Sequence, residues 1–147
     1  MISISLPIKI GNWKTVSFPS TLYLSPVLDI LLNKVPKPLR AEIRLGLQEA
    51  LVNAAKHGNK LDPSKPVVVK FCYKRGEYSW IVCDQGEGFS QSRSCPLNQP
   101  DLPPEEAENG RGLCILHQIF DKVHWDRQGR RVKLSKYVPF SSLLRFI

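Results

Sequence analysis

The sequence predicts an α+β fold of two layers, in which helices cover one face of a mixed, mostly antiparallel sheet. Helical periodicity dominates the first half of the chain after one alternating segment, and two hairpins of β-branched and aromatic residues come later. Each hairpin turns near a glycine, Gly76 or Gly129, so its two strands are expected to be antiparallel neighbours. Helices and strands that are grouped in this way favour a two-layer α/β sandwich.

The length and composition fit one globular domain. The chain has 147 residues, of which 42% are hydrophobic and 23% charged, as is ordinary for a soluble protein. We expect a single domain over 1–147, with a core of about 13–138, an N-terminal arm of 1–12 and an apolar tail of 139–147. The start has no signal-peptide pattern, and no segment has the ~18 apolar residues that a membrane helix needs. A cytoplasmic protein without membrane association is therefore expected.

The four cysteines, Cys72, Cys83, Cys95 and Cys114, show no C-x-x-C spacing. Three of them fall inside predicted regular elements. We interpret them as small buried hydrophobic residues in a reducing compartment, rather than as disulfides or zinc ligands.

The formal net charge of +8 raises the question of nucleic-acid binding. The basic residues are scattered along the chain, and the densest patch, residues 127–133, falls at a predicted hairpin turn. No nucleic-acid-binding motif accompanies it. The charge suits phosphate ligands or an acidic protein partner, and direct nucleic-acid binding is not expected.

The first elements are a strand and two helices. Residues 13–18 alternate with period two, which predicts a strand. Residues 24–35 predict a short helix that begins near Ser25, because a proline follows this capping residue. A long amphipathic helix is expected from about Lys37 to Gly58, where the tolerance of glycine for positive φ would end it. Its buried stripe consists of Leu39, Ile43, Leu47, Ala50 and Ala54.

The second half predicts two hairpins, with a glycine turn, a loop and a helix between them. Residues 67–73 and 78–83 are rich in β-branched and aromatic residues and pair around a short turn. Residues 90–109 hold four prolines and little periodicity, and a loop of this length inside a domain is usually functional. A further helix is expected to begin at Leu113, and the last hairpin to lie within 121–138.

Three short segments carry residues that could bind a ligand or take part in catalysis. Glu49 and Asn53 are four residues apart, so they lie about 40° apart around the helix axis, on the flank of its apolar stripe. A carboxylate and a carboxamide stacked there could accept a proton and ligate a hard cation. Taken singly, each segment also fits a solvated helix flank or an ordinary turn. The other two segments are Asp84 with Gly86 and Gly88, and Gly110-Arg111-Gly112.

In this order the three segments resemble the N box and the two glycine boxes of the Bergerat-fold ATPases and kinases, the GHKL superfamily. The detailed pattern is Glu-x-x-x-Asn-Ala-x-x-His-Gly, then Asp-x-Gly-x-Gly-Phe, a short proline-rich lid and Gly-Arg-Gly-Leu. It is similar to that of the anti-sigma factor serine kinases and spans roughly residues 13–138. The resemblance implies a histidine-kinase-like ATPase domain that binds ATP and Mg²⁺.

The resemblance implies roles for the first two segments in holding the nucleotide. Asp84 would accept a hydrogen bond from the adenine amine, which selects adenine because guanine presents an oxygen there. Gly86 and Gly88 would let the backbone pass close to the base and ribose. Asn53 would place its side-chain oxygen on Mg²⁺, with phosphates and water supplying most other ligands.

The same resemblance assigns the third segment to the phosphates. Gly110 and Gly112 would open the helix at Leu113, so that its free N–H groups and positive dipole end meet the phosphates. Arg111, between them, would either reach a phosphate oxygen or point to solvent.

Glu49 would be the general base that takes the proton from a protein serine as its oxygen attacks the γ-phosphorus. The implied function is an ATP-dependent protein serine kinase and anti-sigma factor. It would sequester a sigma factor and phosphorylate an anti-anti-sigma factor of the STAS fold, which competes for it. Homodimers are common in the family, although no self-complementary surface can be read from the sequence.

Two other functions stay open. The domain could bind ATP only to shape a partner surface, without phosphotransfer, or it could be a detached catalytic domain of a two-component histidine kinase. The short lid, the His-Gly after the N box and the absence of a helix pair with a phospho-acceptor histidine disfavour the second alternative.

Overall fold

The protein folds as a six-stranded antiparallel sheet with three α-helices, in the order β1-β2-β3-β4-β6-β5 across the sheet. The computed structural model describes residues 3–5, 8–10, 12–88 and 104–138. The strands are β1 (Ile8–Ile10), β2 (Trp13–Pro19), β3 (Pro66–Lys74), β4 (Glu77–Cys83), β5 (Lys122–Trp125) and β6 (Arg131–Tyr137). The helices are α1 (Ser25–Leu31), α2 (Lys37–Val52) and α3 (Pro104–Ile119), and α2 continues into a π-helical turn (Asn53–Gly58).

One face of the sheet forms the core, as a two-layer fold requires. Val16, Val69, Val82 and Val132 occupy one row across four neighbouring strands, and each is at most 2% exposed. Val69, Val82 and Val132 belong to the same buried cluster as Leu47 of α2, so the helices pack on this face. The predicted α+β sandwich is confirmed, and every pair of described neighbouring strands is antiparallel.

The N-terminal arm takes part in the sheet. β1 pairs with β2 in an antiparallel register in which Ile8 lies opposite Thr15 and Ile10 opposite Trp13. The arm thus adds a short edge strand. The tail, 139–147, lies outside the described residues, as does 89–103, which is most of the predicted lid.

The first helix is shorter than the sequence predicts. α1 ends at Leu31, and the next four residues form turns before Pro36. The residue before a proline avoids the helical conformation, so a helix that extends to Val35 is disfavoured. The expected cap was also wrong, because Leu24 is the N-cap residue and makes no side-chain capping bond.

The long helical segment ends at Gly58, as expected, but not for the expected reason. Gly58 does end the π-helical turn, but the residues with positive φ that follow are Lys60 and Leu61, not Gly58. The conformational reason given for Gly58 was therefore wrong. The sequence period cannot distinguish a terminal π-helical turn from a regular α-helix.

The last helix begins earlier than expected. α3 starts at Pro104 and not at Leu113, so Gly110, Arg111 and Gly112 lie inside it. Proline is tolerated in the first turn of a helix, and the residues after it, Glu-Glu-Ala, favour helix and suit its positive end. The two glycines therefore do not open a helix, and the predicted helix start at Leu113 was wrong.

The cysteines only partly fit their interpretation. Cys72 and Cys83 are free thiols, and burial raises the pKa of both. Cys114 is disulfide-bonded, so the expectation that no cysteine pairs was wrong. Disulfide pairing depends on distance in the folded chain, which spacing along the sequence does not give.

No helix among the described residues is long and apolar enough to cross a bilayer.

Candidate functional site

The first two candidate segments meet where β4 ends. Asp84 directly follows β4, and its N–H donates to the carbonyl of Arg130 beside β6 at 2.9 Å. The π-helical turn ends at Gly58, whose backbone lies against the Asp84 carboxylate. Segments that are more than 25 residues apart in sequence thus form one site, since the sheet brings the end of β4 beside the end of the long helix.

Glycine is required where these two segments touch. A β-carbon on Gly58 would lie 2.5 Å from Oδ2 and 2.7 Å from Oδ1 of Asp84. A β-carbon on Gly86 would collide with the carbonyl oxygen of Gly58. The N–H of Gly86 in turn donates to Oδ1 of Asp84 at 2.8 Å, as in an Asx turn. The position of the Asp84 carboxylate is therefore fixed by two glycine backbones.

A buried asparagine that the sequence did not single out joins the same segments. Asn59 is 1% exposed, and its Oδ1 accepts the N–H of Gln85 at 2.6 Å. Its Nδ2 lies within hydrogen-bonding distance of Ser20 Oγ (2.9 Å) and of the carbonyls of Lys65 (2.9 Å) and Pro66 (3.1 Å). An asparagine after a helix reads as an ordinary turn residue. Its role depends on partners that are 6 to 39 residues away, which no local pattern reveals.

The third segment approaches the first through Gly112. A β-carbon on Gly112 would lie 2.8 Å from Oε2 of Glu49 and 3.9 Å from Nδ2 of Asn53. Gly112 therefore lies beside Glu49 of α2 and Asn53 of the π-helical turn, both of which are partly exposed. Leu113 packs against the hydrophobic core, and the side chains of Gly110 and Arg111 fall outside the described residues.

Gly88 is held by the turn between β5 and β6. It has φ of +81°, in the left-handed region that favours glycine, and its Cα lies against the carbonyl oxygen of Gln128. A β-carbon there would collide with that oxygen. The glycine turn is thus fixed against a second loop on the far side of the site.

Between Asn53 and Asp84 lies a small, mostly apolar cavity. Its volume is about 10 Å³, whereas ligand pockets usually have about 300–1,000 Å³. The cavity between the described residues is therefore much smaller than a nucleotide. An apolar wall with one carboxylate can hold a flat base and select it by a single hydrogen bond. The wall consists of Ala50, Ala54, Val82, Trp125, Gly129 and Val132.

The described part of the chain has no cluster of three or more His, Cys, Asp or Glu that could hold a metal ion by itself. Glu49 and Asn53 offer a carboxylate and a carboxamide oxygen on one helix flank. This donor set suits Mg²⁺ only if a ligand supplies further oxygens, as nucleotide phosphates do. The residues present therefore fit a metal that arrives with a nucleotide.

Comparison with known protein families matches residues 27–136 to the histidine kinase-like ATPase domain. The chain belongs to this family. The match covers most of α1 and the elements from α2 to β6, except for the last residue of β6, so the family resemblance drawn from the three segments is confirmed. Membership of an ATPase family implies ATP as the nucleotide.

Characterised relatives are similar at modest identity. The chain is 26% identical over 106 residues to "Serine-protein kinase RsbW" of Bacillus subtilis (strain 168), and over 102 residues to that of Bacillus licheniformis. Each match covers 66% of this chain and 64% of the relative, so the chain spans less than two thirds of these kinases. It is 27% identical over 124 residues to "Anti-sigma F factor" of Geobacillus sp. (strain WCH70), covering 82% of this chain and 79% of that protein.

Proposed function

We propose that this chain is an ATP-dependent protein serine kinase that also acts as an anti-sigma factor. The observation that carries the proposal is the meeting of Glu49, Asn53 and Gly112 at one place, beside a cavity that ends at Asp84. This gives a possible base and a metal ligand next to the expected phosphate position. The names of the relatives, serine-protein kinase and anti-sigma factor, support the same assignment.

Adenine would be recognised at Asp84. A carboxylate has about four acceptor sites, so it can accept the adenine amine while it holds the N–H of Gly86. The fixed position of Asp84 between Gly58 and Gly86 means that little reorganisation is needed on binding. The apolar wall, which includes Val82 and Trp125, would pack on the faces of the base.

The triphosphate would lie along the flank of α2. Asn53 would be the protein ligand of Mg²⁺, which neutralises phosphate charge when it is bound with ATP. Gly112 leaves space beside Glu49 and Asn53 that a larger residue would fill. Since Gly112 lies inside α3 here, phosphate contact through free helix N–H groups would need the first turns of α3 to unwind.

Glu49 would act as the general base. Its carboxylate accepts the proton of the substrate serine while the serine oxygen forms a bond to the γ-phosphorus and the bond to the ADP oxygen breaks. A positioned base of this kind typically contributes ~10²–10⁴-fold to the rate. Positioning of the phosphates supplies the larger share in phosphoryl transfer.

The partners follow from the anti-sigma assignment. The chain would sequester a sigma factor and release it when an unphosphorylated STAS-domain protein competes for the same surface. It would then phosphorylate that competitor on a serine. A homodimer is part of this proposal, because the relatives' family commonly forms one.

The test is phosphotransfer with the purified chain, Mg²⁺, γ-labelled ATP and the STAS-domain proteins of the same cell. We expect alkali-labile, acid-stable label on a serine of one of them, and loss of the label with Glu49→Gln while ATP still binds. Glu42→Gln is the matched control, since Glu42 lies on an exposed part of the same helix. ATP binding without any transfer would instead favour a regulatory ATP-binding module, and acid-labile label on histidine would favour a histidine-kinase domain.

A further inference from the structure

A second cavity lies at the other end of the sheet from the candidate ATP site. It has a volume of about 920 Å³ and lies between the end of α1 and the helix-facing side of β2, β3 and β4. Tyr78 and Trp80, near the start of β4, line it, whereas Asp84 follows the end of that strand. From Tyr78 to Asp84 the strand rises roughly 20 Å. This groove is therefore separate from the nucleotide-binding residues.

The floor of the groove is a row of stacked aromatic rings. Tyr73 and Tyr78 stack with ring centroids 4.4 Å apart, and Tyr78 and Trp80 follow at 6.1 Å. Tyr78 donates its hydroxyl to the carbonyl of Lys34 at 2.8 Å, and Trp80 donates its indole N–H to that of Leu31 at 3.3 Å. These bonds fix the two buried rings, while Tyr73 at the rim is 50% exposed. The floor is thus a rigid apolar surface with one accessible ring.

The charges that face the groove are positive. Lys14 and Lys34 both line it, and neither forms an ion pair with another described residue. The acidic residue on its wall, Asp29, is already paired with Arg44 at 2.9 Å. An occupant would therefore meet two uncompensated ammonium groups above an aromatic floor.

We propose that this groove is a docking site for an acidic peptide segment of a partner protein, with an aromatic or leucine side chain packed against Tyr73. The peptide is expected to be acidic because its carboxylates would neutralise the charges of Lys14 and Lys34. The exposed ring and the neighbouring Phe71 supply an apolar anchor site. A single strand of nucleic acid fits less well, since it stacks successive bases on several exposed rings, and among the described aromatic residues of the groove only Tyr73 is exposed.

The probe is a fluorescein-labelled peptide of 12 residues in which Glu and Asp alternate with Phe and Leu, measured by anisotropy with the full chain. We expect saturable binding that weakens at least tenfold with Lys14→Glu/Lys34→Glu and with Tyr73→Ser, and that weakens with added salt. The matched control is Lys60→Glu/Lys65→Glu, two charge reversals near the start of β3, which should leave the affinity within twofold. Bound Mg-ATP should also leave it unchanged.

Three outcomes would overturn the proposal. The first is equal binding of a peptide with lysine in place of its acidic residues, or no saturable binding. The second is tighter binding of a single-stranded oligonucleotide of the same charge. The third is probe binding that appears only after residues 139–147 are deleted, because this segment, and not a partner, would then be the occupant of the groove. None of these measurements depends on kinase activity, so this inference can be disproved without disproving the proposed function, and the reverse is also true.

Discussion

Gly58 faces the carboxylate of Asp84 so closely that a β-carbon on Gly58 would lie 2.5 Å from one of its oxygens and 2.7 Å from the other. One residue ends the long helix segment and the other follows a central strand, 26 positions later in the chain. Their contact couples the N-terminal helices to the expected adenine-binding carboxylate. Because no side chain longer than hydrogen fits at 58, the contact depends on glycine for reasons of space and not of backbone conformation.

Gly58→Ala should therefore weaken ATP binding more than it weakens the fold. The added carbon must displace the Asp84 carboxylate, and we expect the Kd for Mg-ATP, measured by calorimetry, to rise at least tenfold. Gly46→Ala is the contrasting control, since its added carbon would meet the Phe120 ring at 2.6 Å in the core. It should lower the melting temperature and leave ATP affinity near normal. Wild-type affinity in Gly58→Ala would show that Asp84 does not contact the nucleotide.

Asn59→Ala should destabilise the whole domain. The change removes the donor to Ser20 and to the carbonyls of Lys65 and Pro66, and it leaves the buried Gln85 N–H without its acceptor, although Ser20 still donates to the Lys65 carbonyl at 2.6 Å. Unsatisfied buried groups cost about 1–3 kcal/mol each, so we expect a loss of roughly 3 kcal/mol in the free energy of unfolding. Urea denaturation measures it.

Two further variants separate the contacts of this side chain. Asn59→Asp keeps the acceptor for Gln85 but sets a carboxylate against the carbonyls of Lys65 and Pro66, and it should be at least as unstable as the alanine variant. Asn33→Ala, on an exposed turn, should change stability by less than about 0.5 kcal/mol. A stable Asn59→Ala would mean that water or movement replaces these bonds.

Gly112→Ala should change stability and activity in opposite directions. Alanine stabilises a helix interior by about 0.5–1 kcal/mol relative to glycine, and the nearest atom to the added carbon is the movable end of Glu49. The melting temperature should therefore hold or rise by a few degrees. Displacement of Glu49 should lower the phosphotransfer rate at least tenfold. Gln118→Ala, exposed on the same helix, should leave the rate unchanged, and an unchanged rate in Gly112→Ala would count against Glu49 as the base.

The sequence predicted the layers and most strands because these depend on local periodicity. The alternation that buries Val16, the β-branched run that contains Val69 and the stripe of α2 that includes Ile43 and Leu47 can all be read directly from the residues. The three motif segments were also found from order and spacing, and the family match confirms the resemblance that they indicated.

The details of the site could not be read in this way, because they depend on packing between distant segments. Asn59 looks like a turn residue until its partners on three other segments are known. Gly58 was explained by backbone conformation, whereas the structure shows a steric cause. The predicted start of α3 at Leu113 was wrong because glycines can lie inside a helix when helix-forming residues, here those after Pro104, precede them.

Arg131→Gln should slow the alkylation of Cys83. Burial raises the pKa of the Cys83 thiol, and the positive charge of Arg131, its register neighbour on β6, acts in the opposite direction. Removing that charge raises the pKa further, so less reactive thiolate is present at a given pH. With iodoacetamide the pH at which Cys83 reacts should shift upward. Cys72 in the same molecule is the internal control, and an equal shift at both thiols would point to general opening of the sheet.

Asp84→Asn should weaken ATP binding and reduce the preference for ATP over GTP. The amide keeps one acceptor oxygen in place of the two that the carboxylate offers to the Gly86 N–H and the adenine amine, and it is a weaker acceptor because it carries no charge. Its NH₂ group can in turn donate to the oxygen that guanine presents. We expect the Kd for Mg-ATP to rise at least tenfold, while that for Mg-GTP stays constant or falls. Competition binding with both nucleotides measures the ratio. Equal weakening of both would instead mean that the variant has disturbed the turn at Gly86, and that Asp84 maintains the shape of the pocket without reading the base.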